Sequence, residues 1–260
     1  MAPVCYLPTL PMHHSLPWLQ AHEPFPAPSS AWDAETPAPG LLAAGGTLDV
    51  QTLCAAYSQG TFPWFNDDQP ILWWCPNPRM VLPPQQFRLH RSLRKTLQKF
   101  ALNPACEIRV DSAFARVICA CASTKRAGQP GTWIGADMIA AYIQLHHAGF
   151  AHSIETWIEG ELAGGLYCVA IGKAVFGESM FAHYTDASKI ALAALVTLCK
   201  TQGVELIDCQ QNTRHLASLG AYEIPSKDFL ATIASATQQE AIAWKFAPSL
   251  WSTLLWGNAH

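Results

Sequence analysis

The pattern of apolar and polar positions is most informative in the second half of the chain. Residues 166–171 and 174–180 are short apolar or alternating runs separated by Gly172-Lys173, turn residues suited to an antiparallel hairpin. Thr185-Asp186 then forms an N-cap pair. Ile190, Leu192, Leu195, Val196 and Leu198 recur at helical spacing until Gly203. A strand therefore feeds a helix through a corner that carries Glu178 and Ser179. An unpaired carboxylate is costly to desolvate, so Glu178 in this apolar strand is predicted either to face water or to hold a partner.

The same reading extends to both sides. Residues 151–158 form a strand closed by a turn at Glu159-Gly160, and residues 204–210 form another, opened by Glu205. Alternation along the latter puts Asp208 and Gln210 on one side, with Ile207 and Cys209 on the other. A short helix near 214–219 and a last strand near 221–224 follow. Upstream, residues 48–60 form a short helix with Leu53, Ala56 and Tyr57 on one face. Asp111 opens a second helix whose apolar side is Phe114, Val117, Ile118 and Cys121, and Met138, Tyr142 and Leu145 mark a third. Trp73 and Trp74 fit a strand pattern that suits core packing. Trp64, on a proline-constrained turn, and Trp133, after a glycine-containing loop, are instead placed to face each other across a cleft and stack on an aromatic ligand.

This succession predicts an α/β (α+β) fold. It comprises a proline-rich arm over residues 1–39, a small N-terminal lobe over 40–85, and an N-acetyltransferase-like domain over 86–260 with a mixed, mostly antiparallel sheet. Acetyltransferases hold the pyrophosphate of coenzyme A on a glycine-rich loop before the central helix. Residues 183–188 contain no glycine there and add Asp186, which disfavours coenzyme A chemistry.

Composition adds a surface. The 260 residues are 50% hydrophobic and 13% charged, as suits a well-buried enzyme, and the net charge of −3 gives no global attraction to polyanions. Any nucleic-acid contact must be local. Arg79, Arg88, Arg91, Arg94, Lys95 and Lys99 supply six of the 16 cations, and no carboxylate occurs between Asp68 and Glu107. Arg91, Lys95 and Lys99 fall at i, i+4 and i+8 with Arg94 beside them, opposite Leu93, Leu97 and Phe100. A solvated helix face normally mixes signs, so this one is read as a phosphate-binding surface. No Lys or Arg precedes Arg79, against a secretory or transit signal, and the apolar run 190–199 is too short to span a bilayer. A cytoplasmic protein without a membrane partner is expected. The nine cysteines are odd in number, and Cys54, Cys119, Cys168 and Cys199 read as buried free thiols. Cys119 and Cys121 lack a second pair at zinc spacing, so no metal and no cofactor are expected.

Several separated runs carry a resemblance. GLLAAGG (40–46), AYSQGTFPWF (56–65), PILWWCPNPR (70–79), TWI (132–134), AHSIETW (151–157), GESMF (177–181), DASKIAL (186–192), LIDCQ (206–210) and SLGA (218–221) resemble the leucyl/phenylalanyl-tRNA-protein transferases, in order, from about Phe25 to Phe229. The resemblance implies transfer of Leu or Phe, and less readily Met, from aminoacyl-tRNA to the N-terminal Arg or Lys of acceptor proteins, which marks them for degradation. The ester is already activated, so the site has chiefly to align an amine with a carbonyl. By the same resemblance Trp64 and Trp133 hold the terminal adenosine, and Arg91, Arg94, Lys95 and Lys99 contact the acceptor stem. Leu166, Val175, Leu192, Leu195 and Ile207 match the apolar pocket, and Glu178, Asp208 and Gln210 the polar centre. There Gln210 would aim the amine, Asp208 would hold the Gln210 amide or stabilise the developing charge, and Glu178 would attract the cationic acceptor. Cys75, Cys168 and Ser226 depart from the family's usual Ser, Gly and Arg. Rival readings are a coenzyme A-dependent N-acetyltransferase, an inert RNA-binding module and a Cys209-His215 hydrolase. Oligomeric state is not legible.

Overall fold

The computed structural model describes residues 15–124 and 134–256. The chain enters through β1 (Trp18–Leu19) and β2 (Leu41–Gly45), passes α1 (Val50–Ser58) and returns by β3 (Phe62–Pro63) and β4 (Leu72–Trp74). These strands form one sheet in the order β1-β2-β4-β3. Next come β5 (Arg79–Leu82), α2 (Arg91–Leu102), β6 (Cys106–Val110), α3 (Phe114–Ser123) and α4 (Ala136–His147). The chain continues through β7 (Ala151–Ile158), β8 (Glu161–Ile171), β9 (Ala174–Ala182), α5 (Ala187–Thr201) and β10 (Ile207–Gln210). It closes with α6 (Arg214–Ser218), β11 (Tyr222–Ile224), α7 (Ser226–Ala236) and α8 (Trp251–Leu255).

The second sheet has the order β11-β5-β10-β9-β8-β7-β6, and its pairs are antiparallel except β9 with β10. The expected α/β class with a mixed, mostly antiparallel sheet is what the chain forms. A parallel pair requires a crossover, and α5 supplies it. β5, at residues 79–82, sits inside this larger sheet between β11 and β10.

Alternation divides the core. Ile154, Leu166, Cys168 and Val175 pack with α5 and α2 in one apolar cluster. Their neighbours Tyr167, Val169, Ala174 and Phe176 pack with α1, α3, α4 and α7 in the other, as a period of two requires. α5 is buried along most of its length. Its first turn approaches β8 so closely that a Cβ on Gly164 would lie 2.6 Å from the Ala187 Cβ. Among the described residues no helix is long and apolar enough to cross a membrane.

Four local expectations are corrected. The strand expected from 204 begins at Ile207, where β5 and β9 become available as partners, and the Val204 N–H instead closes α5 by donating to the Cys199 carbonyl. Asp111 does not cap α3. It sits at φ 57° with its carboxylate on the Ser153 N–H (2.8 Å) and His152 Nδ1 (2.7 Å), while buried Glu155 receives the Ala113 N–H at the helix start. Asp186 stands at the N-cap of α5 but in a left-handed conformation with no capping bond, and its carboxylate accepts from Lys189 Nζ at 2.7 Å. Cys119 is exposed, on the side of α3 away from its buried stripe.

Candidate active site

β9 and β10 are in register only at Val175–Ile207 and Phe176–Asp208. Beyond that pair β9 stays with β8 while β10 departs, so the parallel strands splay and open the sheet at their C-terminal ends. Each strand is irregular at the split. On β9, Tyr167 pairs Ser179 and Cys168 pairs Gly177, which leaves Glu178 as an extra residue. On β10, Asp208 pairs Val81 and Gln210 pairs Met80, which leaves Cys209 extra, and Gln210 lies at φ 61°. Bulges re-aim side chains, and both candidate polar residues sit on or beside one.

The consequence corrects the expectation that Asp208 and Gln210 share a face. Ile207, Cys209 and Gln210 line a cavity of about 410 Å³, and Asp208 does not. Asp208 is fully buried and paired with Arg79 of β5 through two bonds, Nε to Oδ1 at 2.8 Å and Nη2 to Oδ2 at 2.6 Å. The guanidinium lies between the rings of Phe62 (4.9 Å) and Phe229 (4.5 Å). Asp208 Oδ1 also accepts the backbone N–H of Gln210 at 2.8 Å, which fixes the turned backbone rather than the amide side chain.

The Gln210 amide is held by Glu178 instead. Its Nε2 donates to Glu178 Oε1 at 2.8 Å, and the Tyr57 hydroxyl donates to the same oxygen at 2.7 Å. Tyr142 is hydrogen-bonded to Tyr57 behind it. With Nε2 committed, the Gln210 carbonyl oxygen is left for a ligand. Burial pushes the Glu178 carboxyl up to about 8; the Tyr57 bond opposes this and the Asp208 charge reinforces it. Glu178 Oε2 is buried with no hydrogen-bond partner among the described residues.

This shift fixes a sign for stability. An unfolded Glu titrates near pH 4.3, so between about pH 4.3 and 8 the folded state holds a proton the unfolded state lacks, and stability falls as pH rises. Glu178→Gln removes that loss. Its Tm relative to wild type should rise between pH 5 and pH 9 in thermal denaturation, whereas a relative Tm that stays flat over this range would show a carboxylate already ionised at pH 5.

The cavity is apolar on one side, where Leu166, Leu192, Leu195 and Ile207 line it as expected, joined by Met180 and Leu216. Val175 is a correction, being buried in the adjoining core and absent from the lining, because it pairs with Ile207 where the strands are still closed. Trp64 also lines the cavity, its ring 5.4 Å from that of Trp74. Trp73 is wholly buried, its indole N–H on the Gly45 carbonyl. Trp133, the expected second aromatic wall, lies outside the described residues.

On α2, Arg91, Lys95 and Lys99 are exposed, and Leu93, Leu97 and Phe100 are buried. Arg94 is half-buried and donates from Nη1 to the Leu255 carbonyl at 2.7 Å, so it braces the C-terminal segment rather than standing free with the other three. Sequence reasoning missed Arg79, Tyr57 and Tyr142 as parts of the centre. Arg79 had a signal, a lone cation in an apolar strand. The tyrosines had a weaker one, a phenol on a helix stripe that Phe would fill, implying a partner for the hydroxyl.

Residues 81–234 match the family model described as leucyl/phenylalanyl-tRNA protein transferase, and residues 46–77 match that of its N-terminal domain. A leucyl/phenylalanyl-tRNA–protein transferase of Polaromonas sp. is 60% identical over 240 residues, 92% of this chain and 94% of the relative. The enzyme of the same name from Albidiferax ferrireducens is 61% identical over the same shares. Among solved structures, L-PGS from Bacillus licheniformis aligns with 75% of this chain and 72% of its own at 12% identity and a TM-score of 0.39. Matches on both sides of residues 78–80, together with such identity along nearly the whole length, mean that this chain belongs to the leucyl/phenylalanyl-tRNA protein transferase family.

Proposed function

We propose that the protein transfers Leu or Phe, and less readily Met, from aminoacyl-tRNA to the N-terminal Arg or Lys of acceptor proteins, and so marks them for degradation. The observation that carries this reading is one cavity in which an apolar wall meets the Glu178–Gln210 pair where β9 and β10 part. The wall of Leu166, Leu192, Leu195 and Ile207 suits an unbranched-β apolar side chain, and Trp64 suits a nucleobase. The reacting ester then falls beside Gln210, whose free carbonyl oxygen accepts an amine hydrogen and directs the lone pair. An α-amine has a pKa near 7.7–8.0, so a useful fraction is neutral at pH 7. Aminoacyl-tRNA is a cytoplasmic substrate, and the reading carries that location with it.

The coenzyme A reading is disfavoured by Asp186 and Lys189, which are paired where a pyrophosphate would need backbone N–H groups and no acid. Transfer of radiolabelled Leu from Leu-tRNA to a protein beginning with Arg tests the function directly. No transfer, or transfer equally to a protein beginning with Glu, overturns the activity or its acceptor rule respectively.

Arg91, Lys95 and Lys99 support an acceptor-stem contact, since they expose like charge and make no ion pair among the described residues. Removing one cation that neutralises a phosphate should flatten the slope of log affinity against log salt by roughly 0.7–0.9. Arg91→Glu/Lys95→Glu should therefore bind tRNA with a visibly shallower salt slope in filter binding. An unchanged slope would assign the face to ordinary solvation.

A further inference from the structure

Resting on the proposed transfer, we propose that Glu178 acts as a neutral carboxylic acid whose Oε2 proton goes to the departing 3′-oxygen of the tRNA. Three observations carry this. First, Oε1 receives two donors, Tyr57 O–H and Gln210 Nε2–H, so Oε1 is the carbonyl oxygen of the acid and its hydroxyl is Oε2. Second, Oε2 is buried and has no partner among the described residues, although its side chain lines the cavity: the proton has a site but no resident acceptor.

Third, among the described residues the one cation near it is already engaged by another carboxylate. The titratable groups that bear on Glu178 are Tyr57 of α1, Tyr142 of α4, Cys168 of β8, Arg79 of β5 and Asp208 of β10. Arg79 is the cation of the set, and it favours the ionised form of Glu178, but it spends Nε and Nη2 on Asp208 and keeps only Nη1 unbonded among the described residues. Its charge is already matched, so an ionised Glu178 would be a second carboxylate for one guanidinium, and like charges that share a site raise the proton affinity of one of them. His215 lines the same cavity, but burial and Lys189 hold its imidazole below its ordinary pKa, so it adds no cation at neutral pH.

The step balances. The acceptor nitrogen bonds to the ester carbon, the bond from that carbon to the 3′-oxygen breaks, the Oε2 proton passes to that oxygen, and the proton shed by nitrogen reloads Oε2. Glu178 ends as it began, and the Tyr142–Tyr57 chain holds Oε1 throughout so that Oε2 is the oxygen that exchanges.

Glu178→Gln is the test, because an amide keeps an acceptor at Oε1 and a donor at the other position but does not transfer a proton. With natural Leu-tRNA, kcat should fall roughly 10²- to 10³-fold, within the range for removal of general acid catalysis, while KM for donor and acceptor changes less than about twofold. The decline of wild-type kcat at alkaline pH should disappear in the variant. The decisive comparison uses Leu-tRNA ending in 2′-fluoro-2′-deoxyadenosine, whose electron-withdrawing fluorine makes the 3′-oxygen a better leaving group. The ratio of wild-type to variant rate should shrink by roughly tenfold with this donor, since a good leaving group needs little protonation. An equal ratio with both donors, or a variant changed only in acceptor KM, would overturn the acid and leave Glu178 as an anchor for the amine. Wild-type protein that fails to transfer from natural Leu-tRNA would overturn the parent reading, and this one with it.

Discussion

Asp208→Ala is expected to cost about 3–5 kcal/mol of stability, because it strands the buried Arg79 guanidinium without its counter-charge. For a chain of this size that is a fall in Tm of roughly 6–20 °C. Arg79→Met should cost a similar amount from the other side, leaving a buried carboxylate that keeps only the Gln210 N–H among its present donors. The double replacement Arg79→Met/Asp208→Leu should recover much of the loss, since removing both charges also removes their desolvation, and Phe62 and Phe229 already make the guanidinium's surroundings apolar. A thermal denaturation series over the three proteins checks this. Single variants within about 1 kcal/mol of wild type, or a double variant no better than either single, would show that the pair is not the brace it looks like. Asp208→Asn should lower activity at least as much as loss of the Gln210 side chain, through the backbone it fixes and not through contact with substrate.

The fold was legible because its long elements obey simple periods. β7, β8, β9 and α5 lie where alternation and helical spacing put them, and the buried set of α2, Leu93, Leu97 and Phe100, is the apolar stripe read from sequence. The errors fall where a period is broken. Alternation along β10 puts Asp208 and Gln210 on one face, yet one extra residue and one positive φ turn Gln210 to the cavity and leave Asp208 in the core. No glycine marks the bulge of β10 at Cys209, whereas Gly177, beside the extra Glu178, was a signal for the bulge of β9. Val175 failed for a related reason: where two strands stop pairing is set by the length of their contact, which local pattern does not contain. Arg94 shows the third limit. Helical spacing puts it beside Arg91, Lys95 and Lys99, but the Leu255 carbonyl that occupies it is 161 positions away.

Gln210→Ala should lower kcat by roughly one to three decades without abolishing turnover, the scale of rate lost when a reacting group is misplaced. The amide cannot be a base; what it provides is direction. Glu178 takes its Nε2–H, Asp208 takes its backbone N–H, and the remaining carbonyl oxygen of this cavity-lining residue is left to receive one hydrogen of the amine. Removing the side chain leaves an activated ester and a partly neutral amine in one pocket, so transfer continues in poorer alignment. The left-handed backbone adds a control. At φ 61° glycine is at ease and alanine is not, so Gln210→Gly should be the more stable of the two, by about 1 kcal/mol. If the amide is what matters, the two variants will show the same loss of kcat despite that difference. Activity restored in Gln210→Gly alone would mean that backbone strain, and not the side chain, accounts for the effect, and complete loss of transfer in a folded, tRNA-binding Gln210→Ala protein would require a chemical role beyond alignment.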